Sequence, residues 1–309
     1  MGVDTMVEPV RMRHPVRGLA PVLVTGMPRS GTTWLARLLA QAPGAAMTGR
    51  EPMNPRGRQY ALGGTLEGWA RLCEPTPLQE RTLRRAYRGT TPFVYSRYGV
   101  RQSAALLPGT RRIVKDPFAL LSMPAVHAAT GARPVLIHRH PGAMLTSYRR
   151  MGWLPDLEEL APIVARYEAQ RDPEDPVVPR LPADAAADSA TAMGWFWAAL
   201  YAMALADLRH VPNVVVVAHE DVASDIAVCR ALHSELALPW GSAAAAELAR
   251  KGTGRVTSTG LHNFERPPAE VAFAWRGQLD PAEVEEVEEI THDVRERLAQ
   301  ADFIVTPWP

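Results

Sequence analysis

The chain has 309 residues, of which 47% are hydrophobic and 22% charged, with 28 prolines and two cysteines. That makeup predicts a globular protein with room for one large mixed core or two small ones. A net charge of +1 gives no global field for nucleic acid or an anionic membrane, and Cys73 and Cys229 stand in neither metal-binding nor disulfide spacing, which suits a reducing cytoplasm.

Residues 1–18 read as a flexible leader; Arg11, Arg13 and Arg17 are followed by no apolar run of signal-peptide or membrane-span length. Val22-Leu23-Val24 reads as a buried strand that stops at Gly26, and Trp34, Leu35, Leu38 and Leu39 begin a helical pattern just after Gly31. A strand, a tight glycine loop and a helix start make an anion cradle, because successive N–H groups and the helix dipole point into one space. The two glycines have the spacing of the nucleotide-hydrolase phosphate loop, but Thr32 stands where that loop has lysine, and a cation sits inside the loop at Arg29. This argues against ordinary ATP or GTP chemistry.

Residues 53–110 are expected to lie outside the sheet core, with Arg81, Arg84, Arg85 and Arg88 on one helix face, more simply a solvated face than an anion site. Further strands are expected at 112–115, 134–138 and 213–218, the first ending in Lys115-Asp116-Pro117 and the second in Arg139-His140-Pro141. Residues 169–190 are rich in Pro, Asp and Ala and read as a loop, and a helix over about 191–209 carries Trp195, Phe196, Trp197 and Tyr201, as core or as acceptor-pocket lining. An amphipathic helix closes the chain over 281–299. Strands alternating with helices predict an α/β fold, a three-layer sandwich around a central, mostly parallel sheet, in one domain over 19–309. Ligands of such sheets sit beyond the strand carboxyl ends, where Arg29, Lys115 and Arg139 fall.

Gly26 to Trp34, Gly-Met-Pro-Arg-Ser-Gly-Thr-Thr-Trp, resembles the 5′-phosphosulfate loop of sulfotransferases that use 3′-phosphoadenosine-5′-phosphosulfate (PAPS). The resemblance implies a P-loop-kinase-like fold and places Pro28, Arg29, Ser30, Gly31, Thr32, Thr33 and Trp34 around the donor. Arg29 would pair with the 5′-phosphate and the bridging oxygen, Gly31, Thr32 and Thr33 would donate hydrogen bonds, and Trp34 would stack near the adenine. In that family an arginine after a later strand and a serine eight residues on bind the 3′-phosphate; Arg139 and Ser147 have this spacing. Arg250-Lys251-Gly252 resembles the late loop that closes the 3′-phosphate site.

The family chemistry moves a sulfuryl group in line to an acceptor hydroxyl and needs positioning, charge stabilisation and one base. Carbohydrate and several bacterial members place a Glu-Pro one helix after the phosphate loop, which makes Glu51 the first candidate base. Asp116 is second, with capping of its own strand end as the competing role, and His138 or His140 is third. Lys115 is expected at the leaving oxygen or the sulfuryl group. No metal is required. His219-Glu220-Asp221 resembles a structural turn after a later family strand. The acceptor is expected to be a small molecule with a hydroxyl, such as a sugar, an alcohol or a natural product, and a soluble, cytoplasmic enzyme is implied. A phosphate-loop kinase and a nucleotide-binding protein without turnover remain the alternatives.

Overall fold

The computed structural model describes residues 20–48, 51–56, 62–90, 99–249 and 267–301. Five parallel strands form one sheet: β1 (Val22–Thr25), β2 (Ala45–Thr48), β3 (Arg111–Lys115), β4 (Arg133–His138) and β5 (Val215–Ala218), in the order β2-β3-β1-β4-β5. The alternation of apolar side chains along the strands explains why helices cover both faces. Val22, Val24, Ile113, Val135, Ile137, Val215 and Val217 pack on one side with Leu35, Leu38 and Leu39 of α1 (Thr32–Leu39) and Leu232 of the helix at Ile226–Glu235. Leu23, Val114, Leu136 and Val216 pack on the other with Phe196, Trp197 and Leu200 of the long helix Ala190–Leu208. The expected three-layer α/β architecture is therefore present.

The chain leaves β1 in mid-sheet, runs to β2 and β3 on one side, and returns to β4 on the other. This reversal opens the crevice between β1 and β4 in which ligands of such sheets bind. Register fixes what lies there. Val24 pairs with Lys115, the last residue of β3, and Thr25 with Leu136 of β4, so the loop after β1 starts just past the end of β3 and beside the last two residues of β4.

Two expectations change. Strand β2 was not expected, because Thr48 is the one strand-favouring residue in Ala45-Ala46-Met47-Thr48; its register with β3, and a bond from the Met47 N–H to the Val100 carbonyl (2.9 Å), hold it extended. Residues 53–110 form the β2–β3 crossover and are not peripheral throughout: Leu62, Trp69, Leu83 and Tyr87 are buried in the main core. Helix α2 (Pro77–Tyr87) starts in a capping box built by Thr76 and Gln79. Its Arg81, Arg84 and Arg85, with Arg88 just after it, are exposed, and Arg84 pairs with Glu80 one turn away.

The remaining helices are α3 (Met123–Thr130), α4 (Pro141–Met151), α5 (Leu157–Gln170), α6 (Ala190–Leu208), α7 (His219–Ser224), α8 (Ile226–Glu235), α9 (Ser242–Leu248), α10 (Pro268–Phe273) and α11 (Pro281–Ala301). The stretch between α5 and α6 has no regular structure, yet it is tied down: Arg209 pairs with Asp172 and Asp175, and the Tyr167 hydroxyl donates to the Pro176 carbonyl at 2.6 Å. Helix α6 is buried almost all round, wedged between the sheet and α11. No helix among the described residues is long and apolar enough to cross a membrane.

Close approach of α6 and α11 depends on Gly194, where an added Cβ would lie 3.1 Å from Ile290. Gly194→Val must push the helices apart, so we expect a loss of about 1–3 kcal/mol, read as a lower urea midpoint with an unchanged slope.

Candidate active site

The loop from Gly26 to Gly31 is shaped by close contacts that only glycine permits at its two ends. Gly26 has φ 155°, and a Cβ there would lie 2.1 Å from the Ile137 carbonyl oxygen of β4. Gly31 has φ 101°, and a Cβ there would meet the His219 ring at 2.2 Å. Between them Arg29 takes a left-handed backbone, φ 80°, and Ser30 N–H closes the turn onto the Met27 carbonyl at 3.0 Å. Gly31 is also the N-cap of α1 and provides no side-chain acceptor, so the N–H groups of the first turn face the loop uncapped, with no acidic residue among them.

Helix α6 holds this loop against β4. The buried Tyr201 hydroxyl accepts from Met27 N–H (3.2 Å) and donates to the Ile137 carbonyl (2.9 Å). Four residues earlier, Trp197 Nε1 donates to the Arg139 carbonyl at 2.9 Å. The sequence places these aromatics in the core or an acceptor pocket; Trp197 and Tyr201 are core, and their polar ends, one helical turn apart, also clamp the loop after β1 and the end of β4.

Arg139 follows β4 and is buried. Its Nη1 donates to the Arg29 carbonyl (3.4 Å), another N–H donates to the Val271 carbonyl of α10, and its Nε has no partner. Burial lowers its pKa to about 10, opposed by the nearby Glu220 carboxylate, so the guanidinium stays charged at neutral pH. Ser147, on α4, accepts from Arg29 Nε at 3.1 Å. Arg29, Arg139 and Ser147 thus meet, although they are far apart in sequence. Trp34 stands at the start of α1 with its indole edge-on to His219 (5.8 Å, 69°) and its buried Nε1 unpartnered. Two orphaned donors, Arg139 Nε and Trp34 Nε1, flank the loop and the uncapped first turn of α1, an arrangement that fits an anionic nucleotide.

At the end of β3, Thr25 Oγ1 donates to the Asp116 carbonyl (2.8 Å) and Asp116 N–H to the Val24 carbonyl (3.0 Å), which joins the roots of the two strand-end loops. Lys115 then forms an ion pair with Glu51 Oε1, and Asn54 Nδ2 donates to Glu51 Oε2. Glu51 sits in the left-handed region, φ 48°. Asp116 is fully buried, and each of its oxygens is taken by a backbone donor: Met53 N–H on Oδ2 (2.7 Å) and Phe118 N–H on Oδ1 (3.1 Å). Burial, and after it the charge of Glu51, raises its pKa to about 8.

The histidines stand apart. His140 caps α4, with Nδ1 accepting from Gly142 N–H (3.2 Å) and Nε2 facing Glu288 (3.1 Å), and its ring stacks on Trp275 at 4.2 Å. Burial, then the Arg295 and Arg276 charges, lower its pKa to about 4. His138 at the end of β4 lies edge-on to Tyr201, 6.3 Å away. Pro28, Ser30, Thr32 and Thr33 line the loop and the first turn of α1; Arg250, Lys251 and Gly252 lie outside the described residues. Asn54 escapes the sequence reading, although its place three residues after Glu51 is a turn spacing that brings two side chains together.

Residues 21–241 match the family model described as "Sulfotransferase family". The chain belongs to the sulfotransferase family. Among solved structures, this sulfotransferase is similar to the sulfotransferase domain of the Synechococcus PCC 7002 olefin synthase, with 20% identity, 91% of this chain and 95% of that chain covered, and a TM-score of 0.48. It is similar also to mouse sulfotransferase SULT7A1 complexed with PAP (14% identity, 91% and 88% covered, TM-score 0.45). A third is sulfotransferase STF1 from Mycobacterium tuberculosis H37Rv (16% identity, 89% and 77% covered, TM-score 0.40). No curated protein sequence matches the chain.

Two outcomes follow for the site. Tyr201→Phe strips one buried donor and one buried acceptor of their partner, so stability should fall by about 1–3 kcal/mol, measured by urea unfolding. Asp116→Asn turns an amide N–H₂ toward one of two N–H donors and should cost a similar amount. Asp116 also has a pH signature. Its folded pKa is raised, so between about pH 4 and pH 8 the folded form holds a proton that the unfolded chain has lost. Its contribution to stability therefore falls as pH rises through that window. Unfolding midpoints at several pH values should lose this slope in the Asn variant.

Proposed function

We propose that this sulfotransferase transfers the sulfuryl group of PAPS to a hydroxyl of a small-molecule acceptor, with Glu51 as the base. The observation that carries the reading is the Lys115–Glu51 pair beside the root of the phosphate loop. A cation for the transferring group and a carboxylate for the acceptor proton then share one spot, which in-line transfer requires.

The uncapped N–H groups of the first turn of α1, with Arg29, would hold the 5′-phosphosulfate. Arg139 and Ser147 would take the 3′-phosphate, which distinguishes this nucleotide from ATP, and Trp34 would lie along the adenine. When the acceptor oxygen attacks, a new O–S bond forms while the S–O bond to the bisphosphate breaks, and the acceptor proton passes to Glu51. The transition state is loose by analogy with phosphoryl transfer, so fixed cations and alignment supply most of the acceleration. Lys115 serves this by leaving Glu51 for the transferring group, which frees Oε1 at the moment it must accept a proton. Asp116, with both oxygens occupied by backbone donors, positions the Met53 and Phe118 segments and takes no proton from the acceptor.

The donor is tested by calorimetry with adenosine 3′,5′-bisphosphate against ADP, with and without EDTA. Tight, metal-independent binding that needs the 3′-phosphate is expected; equal binding of ADP would return a kinase to first place. Glu51→Gln should keep bisphosphate affinity and lose on the order of 10²–10⁴ in turnover with PAPS and an acceptor. Turnover near wild type in that variant would remove Glu51 as the base.

A further inference from the structure

The turn that carries Glu51 is more heavily braced than a surface crossover needs, and the bracing converges on one amide. Asn54 N–H donates to the Glu51 carbonyl at 2.9 Å and closes the turn. Asn54 Oδ1 accepts from Arg56 N–H at 2.9 Å. That contact fixes which way the amide faces, because only the oxygen can accept, and Nδ2 must then point at Glu51 Oε2, to which it donates. Arg56 is itself anchored. Its guanidinium donates to Asp156 Oδ2 and to Glu159 Oε1, each at 2.9 Å, and those carboxylates also hold the indole and backbone N–H groups of Trp69, at 3.0 and 3.2 Å. A line of directed bonds therefore runs from the start of α5 through Arg56 and Asn54 to the Glu51 carboxylate.

The backbone of Glu51 points the same way. A non-glycine residue at φ 48° is strained by roughly 1–3 kcal/mol, and such strain persists only where surrounding contacts over-determine it. Here the braces are the closed turn and the Met53 N–H bond to Asp116.

We infer that Asn54 is a positioning residue for the base. It grips Oε2 and so leaves Oε1 as the one oxygen presented to the acceptor hydroxyl when Lys115 turns to the transferring group. This rests on the reading of Glu51 as the base. Without Asn54 the carboxylate loses its second donor, rotates about its last torsion, and offers either oxygen or neither in line. Placement errors of about 1 Å cost on the order of 10² in rate.

The test compares Asn54→Ala and Asn54→Asp in the full chain, with Glu51→Gln as control. The readouts are kcat and KM with PAPS and an acceptor, and affinity for adenosine 3′,5′-bisphosphate. Asn54→Asp keeps an oxygen for Arg56 N–H, so a merely structural asparagine predicts that it outperforms Asn54→Ala. A positioning role predicts the reverse, because the aspartate sets a second carboxylate against Glu51. We expect kcat to fall about 10- to 100-fold in Asn54→Ala and further in Asn54→Asp, with bisphosphate affinity and the KM for PAPS unchanged. If Asn54→Asp matches or exceeds Asn54→Ala while Glu51→Gln is inactive, the positioning role is wrong and Glu51 stands as the base. If Glu51→Gln keeps wild-type turnover, the base assignment and this inference fall together. Urea unfolding of both Asn54 variants separates misfolding from misplacement: wild-type stability with depressed kcat supports the inference, and a kcat loss that only tracks lost stability overturns it.

Discussion

The contact between Gly26 and the Ile137 carbonyl sets the geometry of everything else in this site. At 2.1 Å a Cβ could not be accommodated, so the loop root and the end of β4 lie closer than any other residue would permit. That proximity brings Arg29 within reach of both Ser147 and Arg139, which follow β4. It also leaves room for one hydroxyl, that of Tyr201, to bond both chains at once. The aromatic rows of α6 therefore do two jobs. Their rings fill the core beneath the sheet, and the polar tips of Trp197 and Tyr201 fix the crevice above it.

The legible parts of the fold are those where one physical requirement dictates residue type. Strands buried on both faces need apolar runs, and β1, β4 and β5 show them, with a shorter one, Ile113-Val114, in β3. A loop that cradles an anion needs glycines at set positions and a helix immediately after, and Gly26 to Trp34 shows that. Strand β2 was hidden because Ala-Ala-Met-Thr carries a strand preference only at Thr48; its pairing with β3 imposes the extended form. The start of β5 was placed two residues early because Asn213, in a left-handed turn at φ 60°, interrupts the run that its apolar neighbours suggest.

The site was legible where side chains recognise a fixed chemical group and obscure where they recognise one another. Arg29, Arg139 and Ser147 stand out because their types and spacing are those a phosphate site would need beside a strand end, and the fold brings them together. Asn54 does not, because its partners are Glu51 and a backbone N–H that the sequence does not bring into view. Arg56, Asp156 and Glu159 are likewise ordinary surface residues until the fold sets them around Trp69. The roles of Tyr201 and Trp197 were obscured by their own hydrophobicity, since burial alone accounts for an aromatic in a helix facing a sheet.

Charge balance explains how the cations of this site are held. Arg29 and Arg139 meet at the loop and Lys115 ends the neighbouring strand, and burial of unpaired charge is costly. Each is steadied by a partner from the protein itself: Ser147 for Arg29, Glu51 for Lys115, and two backbone carbonyls with the Glu220 field for Arg139. Under the proposed function, a polyanionic nucleotide would take over these roles, and the exchange would differ at the three positions. At Arg29 and Arg139 it would release a hydroxyl and carbonyl oxygens, which have no further part in the proposed reaction. At Lys115 it would release a carboxylate. Donor binding and exposure of the proposed base would then be one event, with the carboxylate kept occupied until a sulfuryl group had arrived to be transferred.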